Sequence, residues 1–122
     1  MHWLLVFVGG GLGAAARHGI NRAGLALLGP GFPWWTLGVN VLGSFLIGLL
    51  AGLFDVMGTG QNARLFLTTG FLGGFTTFSA FSLDALTLWE RGAMLQAGLY
   101  VAGSVIASLI AVIAGLMISR LI

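Results

Sequence analysis

Residues 73–81 read "GGFTTFSAF", and the interpretation of this stretch decides the fold. It lies inside an apolar run long enough to cross a bilayer, yet it sets Phe75, Phe78 and Phe81 three apart among glycines and hydroxyls. Gly70, Gly73 and Gly74 are weak helix formers, and the side chains of Thr76, Thr77 and Ser79 compete for backbone hydrogen bonds. Together they predict a transmembrane helix interrupted near 73–78. Backbone opened at membrane depth persists only where protein buries it or an aqueous path satisfies it, and such breaks recur where ions bind. A kink made for packing alone fits the same residues.

Outward from this stretch the chain is 58% hydrophobic and 7% charged, with a mean hydropathy of +1.06. Soluble domains carry about 25% charged residues, so these 122 residues form a single all-α membrane domain. There is no cysteine, which removes disulfides and thiolate metal sites. His2 and His18 are too isolated to ligate a metal, and neither a phosphate-binding loop nor a Ser/His/Asp set is present, so an enzyme is excluded. The net charge of +2 is spread over turns without a basic patch, which excludes a nucleic-acid partner. The first apolar run lacks a basic leader and a cleavage site, so it reads as a retained helix.

A span needs roughly 20 mostly apolar residues. Four segments qualify, at about 3–22, 34–54, 65–88 (with the break near 73–78) and 93–119. The connectors at 28–33, 55–64 and 89–93 hold both prolines and half of the charged residues, as water-facing turns should. Trp3, Trp34, Trp35 and Trp89 fall at the ends, where indoles settle at headgroup level.

Orientation is nearly unbiased. Arg64 and Arg120 lie on one side, and Arg17, Arg22 and Arg91 on the other. By the positive-inside rule such a chain inserts either way, which predicts a dual-topology, antiparallel homodimer in membrane lipid. Asn40, Ser44, Gly48 and Gly52 recur every four residues on the second helix, as do Gly103, Ala107, Ala111 and Gly115 on the fourth. Such stripes let backbones approach closely where the hydrophobic effect does not drive association.

Several residues carry a possible chemistry beside a packing role. Carbonyls freed near Gly73 and Thr76 suit a hard cation such as Na⁺. Phenylalanine edges are positive, so Phe75, Phe78 and Phe81, spaced three apart, either fill a stripe or face a small anion. Asn40 has two amide donors, for an anion or for a neighbouring helix. Tyr100, Ser104 and Ser108 recur every four residues, as a polar track or as interhelical bonds. Arg17 sits in an anion-attracting vestibule or anchors at the interface. No carboxylate lies mid-membrane outside the third helix, which disfavours proton-coupled transport.

Taken together, "GGGLGAAARH" (9–18), "TLGVNVLGSFLIG" (36–48), "GFLGGFTTFSAFSLD" (70–84) and "YVAGSVIAS" (100–108) closely resemble the CrcB/Fluc family of fluoride channels. The resemblance covers essentially the whole chain. It implies passive fluoride export across a bacterial inner membrane by a multi-pass antiparallel dimer with two pathways and a structural Na⁺. By that resemblance Asn40 is the pore amide, Phe78 and Phe81 present ring edges to fluoride, and Ser79, Tyr100, Ser104 and Ser108 line the track, with Thr36 near the vestibule. Arg17 stands at the mouth, and the main-chain carbonyls of Gly73 and Thr76 hold Na⁺ from both subunits. Phe75 occupies a variable position and is left out. The chain departs from the family at Ala80 (commonly Thr), Asp84 (usually Glu) and His18 (often aromatic). The alternative, a small multidrug-type proton-coupled exporter, should carry a carboxylate in its first helix, and residues 3–22 contain none. A membrane assembly subunit without transport would not explain the motifs.

Overall fold

The computed structural model describes residues 1–122 and contains four helical spans. They are α1 (His2–Leu28), α2 (Trp34–Met57), a composite third span, and α6 (Met94–Leu121). The third span comprises α3 (Gln61–Arg64), a π-helical stretch (Leu65–Leu72), the single turn α4 (Gly73–Phe75) and α5 (Phe78–Glu90). The expected order and number of spans are reproduced, and the break falls at Thr76–Thr77, inside the expected window.

The spans run a few residues beyond the expected bounds, α2 to Met57, α5 to Glu90 and α6 to Leu121, and the largest differences fall at two places. Helix α1 runs on to Leu28 rather than ending near Arg22, because the helix formers of "AGLALL" carry it forward until Gly29 (φ 76°) and Pro30 stop it. Arg17 and Arg22 therefore project from within a helix. The third span starts at Gln61 rather than Leu65, since Gly58 ends α2 in the left-handed conformation (φ 63°) and leaves only a short turn.

Two close parallel pairs build the bundle. In the first, α1 lies along the π-helical stretch and α4, and a methyl group at Gly9 would meet Phe66 O and Gly70 Cα. One at Gly13 would overlap the Phe71 carbonyl, and one at Gly74 the Gly10 carbonyl. In the second, α2 packs on α6, with Gly48 against the Val112 carbonyl, Gly115 against the Phe45 carbonyl and Gly52 against Ser119. Backbones this close gain dispersion and leave no room for lipid, which substitutes for the missing hydrophobic drive.

The small-residue stripe expected on α2 is therefore a contact surface. On α6 Gly115 of the expected stripe lies against the Phe45 carbonyl, while Gly103 has nothing within 4 Å of its would-be methyl, so the closest glycine contacts with α2 fall toward residues 112–119. Trp3, Trp34 and Trp89 are exposed at helix ends, as expected of an interfacial belt. Trp35 is not, because its ring lies against Gly24 of α1.

Two small apolar clusters complete the interior: Val39, Leu72 and Phe75 at the centre, and Phe81, Leu88, Ala97 and Tyr100 toward the α5–α6 turn. Phe75 is 4% exposed and stacks on Phe71 at 5.9 Å, whereas Phe78 is 78% exposed. The three phenylalanines form no common stripe, because the extended residues Thr76 and Thr77 rotate the chain between the first and the second.

The packing gives a direct test. Gly13→Ala should lower the thermal unfolding midpoint of the protein in detergent, at an overpacking cost of about 1–3 kcal/mol. Gly11→Ala on the same helix, with nothing within 4 Å, should leave it unchanged or raise it.

Candidate functional site

Thr76 and Thr77 divide the work of interrupting the third span. The Thr76 N–H and hydroxyl both donate to Leu72 O, at 3.0 and 2.9 Å, which closes the first half. Thr77 caps the second half, its Oγ1 accepting from Ala80 N at 3.1 Å, the usual service of an N-cap threonine. Thr77 itself is extended (φ −151°, ψ 120°), so its backbone N–H finds no partner in the preceding turn.

Asn40 of α2 supplies that partner and a second one. Thr77 N–H donates to Asn40 Oδ1 at 2.8 Å, and Asn40 Nδ2 donates to Thr77 O at 3.0 Å. The amide thus pairs with one residue's backbone as a neighbouring β-strand would. Because Thr77 N can only donate, the facing atom must be Oδ1, which fixes the orientation of the amide. One of the two donors expected to be free on Asn40 is therefore used inside the protein, and one Nδ2–H remains.

Arg17 steadies the other side of the break. Its Nε donates to Gly74 O at 3.1 Å, so this half-buried side chain is bonded across the bundle and is more than an interfacial anchor. The carbonyls of Gly73, Phe75 and Thr76 receive no side-chain or turn hydrogen bond. A broken helix offers two complementary ends, with free carbonyls and negative partial charge where the first half stops and positive charge with free N–H groups where the second starts. The first end suits a cation and the second an anion.

Beside the break runs a groove of about 500 Å³. Its walls include Asn40, Gly73, Thr76, Phe78, Phe81, Ser104 and Ser108 among the expected site residues. Phe78 and Phe81 sit 5.5 Å apart between ring centroids at 48°, and Ser104 is 5% exposed with no hydrogen-bond partner for its Oγ. Four expected residues lie off these walls. Arg17 is at the break's far side. Ser79 is exposed, with its Oγ 3.4 Å from Thr77 Oγ1. Tyr100 is 1% exposed beneath Phe81, ring centroids 5.2 Å apart, and donates to Asp84 Oδ2 at 3.1 Å. Thr36 is 2% exposed beside the Tyr100 hydroxyl.

Some participants escaped the sequence reading. Ser44, Thr68 and Thr69 also line the groove, although Ser44 had a packing assignment and the two threonines none. Their signal is hydroxyls facing the break from a helix already suspected of distortion. The Asp84–Tyr100 bond could not be read from a sequence separation of 16.

The cation expected at the break can be weighed on its donors. No three His, Asp or Glu side chains converge, so the oxygens near Gly73 and Thr76 are neutral carbonyls. Neutral oxygens with no competing partner are the donor set of a hard cation of low charge, and the residues fit Na⁺.

Four apolar spans, a break in the third and a polar groove beside it define a multi-pass membrane protein of the kind that passes ions. Comparison with known proteins agrees. Residues 4–116 match the family described as CrcB-like protein, Camphor Resistance (CrcB). The chain is 55% identical over 116 residues to the fluoride-specific ion channel FluC of Sphingopyxis alaskensis, covering 94% of this chain and 92% of that one. It is 54% identical over 123 residues to the channel of the same name in Rhodopseudomonas palustris (100% and 99%), and 56% over 118 residues to that of Paracoccus denitrificans (97% and 94%). The protein belongs to the CrcB family.

The clasp at Thr77 is open to test by amide exchange. Asn40→Leu leaves one N–H and one C=O unpaired, at about 1–3 kcal/mol each. Hydrogen exchange at the Thr77 amide should accelerate by about tenfold or more, while amides in the middle of α6 keep their protection. Unchanged exchange at Thr77 would contradict the clasp.

Proposed function

We propose that this protein is a fluoride-selective channel of a bacterial inner membrane that lets fluoride leave the cytoplasm passively and so limits its toxicity. The observation that carries the proposal is the broken third span, clasped by Asn40 beside a groove lined by hydroxyls and an amide without a carboxylate, in a chain more than half identical to proteins named fluoride-specific ion channels. The alternative of a proton-coupled exporter gains no support, since no carboxylate lines the groove.

Fluoride binds its water tightly, so a selective path must replace that water within a narrow passage. The remaining Asn40 Nδ2–H, the edges of Phe78 and Phe81, and the hydroxyls of Ser104 and Ser108 are the replacements. Each is a weak partner with positive hydrogens directed at the ion. Serial weak sites permit exit as well as binding. Ser79, Tyr100 and Thr36 extend the polar track in this reading, and Arg17 raises the local anion concentration at the mouth.

The direction of flow needs no pump. Hydrogen fluoride is a weak acid whose neutral form crosses membranes from acidic surroundings and ionises in the more neutral cytoplasm. The inside-negative potential then drives the anion out through any open path.

The working unit is an antiparallel homodimer with dual topology. The near-even arginine distribution and the large exposure of Phe78 and Val105 on the groove walls support a partner there. Gly73 and Thr76 would hold a structural Na⁺ through their carbonyls, and the bound ion would supply positive charge between the facing breaks.

Two experiments follow. Liposomes containing the purified protein should release fluoride without chloride, and Asn40→Asp or Phe81→Ile should slow that release by about tenfold or more, the worth of a charge-assisted contact; retention of fluoride by the wild-type protein would end the proposal. In cells, Gly60→Cys should react with impermeant maleimide from both faces of the membrane. Labelling from one face alone would remove the dual topology.

A further inference from the structure

The groove has a second wall of hydroxyls that the proposed pathway does not use. Ser44 on α2 and Thr68 and Thr69 on the π-helical stretch line it together with the α6 serines. No hydrogen bond of the chain uses any of the three hydroxyls.

The freedom of Thr68 and Thr69 has a local cause. A threonine or serine inside a membrane helix ordinarily turns its hydroxyl back onto the carbonyl four residues earlier. Thr76, Ser82 and Thr87 all do so here, at 2.9, 2.9 and 2.8 Å. Thr68 and Thr69 lie where the helix is wound with i→i+5 bonds, which moves the carbonyl four residues back out of that line. The π-helix, packed closely against α1 at Gly9 and Gly13, leaves two hydroxyls to face the groove.

Ser44 and Thr68 are half-buried and Thr69 is exposed, so their hydroxyls are open to a polar occupant of the groove. An independent observation points to an occupant. Ser104 Oγ, on a residue 5% exposed and lining the same groove, is also without a partner. The groove walls carry no carboxylate, and hydroxyl rotors can turn their hydrogens inward from both sides.

We propose that Ser44, Thr68 and Thr69 form a second anion station in the groove, taking a small, hard anion by hydroxyl donation on the Gln61 side of the break. This rests on the fluoride reading and deepens it, since it assigns to the π-helix the role of presenting donors. The ion passes from the Asn40 amide and phenylalanine edges to a station with hydroxyls on two walls.

The test is fluoride efflux from liposomes with wild type, Ser44→Ala, Thr68→Val, Thr69→Val, Thr68→Ser and the control Thr87→Val. Each of the first three variants should slow efflux by roughly five-fold, what one lost hydrogen bond is worth, while Thr68→Ser and Thr87→Val run at the wild-type rate. Thermal midpoints near wild type identify the folded variants. A wild-type protein that passes no fluoride overturns the functional reading itself. A conducting wild type with Thr68→Val, Thr69→Val and Ser44→Ala all at the same rate overturns the station alone. So does loss in Thr68→Ser as well as Thr68→Val, which would assign the effect to the methyl group. A loss reversed by raising Na⁺ would also overturn it, by assigning the hydroxyls to a cation.

Discussion

The two hydrogen bonds between the Asn40 amide and the backbone of Thr77 are what the rest of the structure depends on. An extended residue in the middle of a membrane span has an N–H and a C=O that no helix can satisfy, and lipid offers nothing in exchange. A side-chain amide is the smallest group that can donate and accept to one residue at once. With that pair made, Thr76 can close one half-helix and Thr77 can open the next without leaving the backbone of Thr77 stranded. The Arg17 bond to Gly74 O fixes the other half in the same way.

Once the break is held, its electrostatics follow. Carbonyls collect at one end and amide hydrogens at the other, and a protein with few charges acquires opposite fixed polarities within a few residues. The glycine contacts of α1 serve the same end, because they bring a straight helix against the π-helical and broken segments closely enough to support both. Stability and the proposed conduction therefore draw on the same residues. Substitutions at Gly74 or Asn40 should be read with folding and transport measured together.

Much of this was legible in the sequence. Four apolar runs and their tryptophans located the spans, and glycines beside hydroxyls in "GGFTTFSAF" located the break. Asn40 could be singled out as a polar residue in an apolar helix, but its partner could not, since it lies 37 residues away. The π-helix was invisible because π-winding depends on what packs against the segment, and "LFLTTGFL" has no local preference for it. For the same reason the contacts of Gly9 and Gly13 with the third span could not be read from the sequence, and of the two glycines in the stripe on α6 Gly115 meets α2 closely while Gly103 does not. Periodicity identifies a face; which neighbour fills it is decided in three dimensions.

On the proposed function, the clasped break borders a path for fluoride and for little else. The most direct measurement is the reversal potential of the reconstituted protein in a planar bilayer, with a fluoride gradient across it and equal chloride on both sides. Current that reverses at the fluoride equilibrium potential is the predicted result. Reversal near zero, or current that follows chloride, would contradict it.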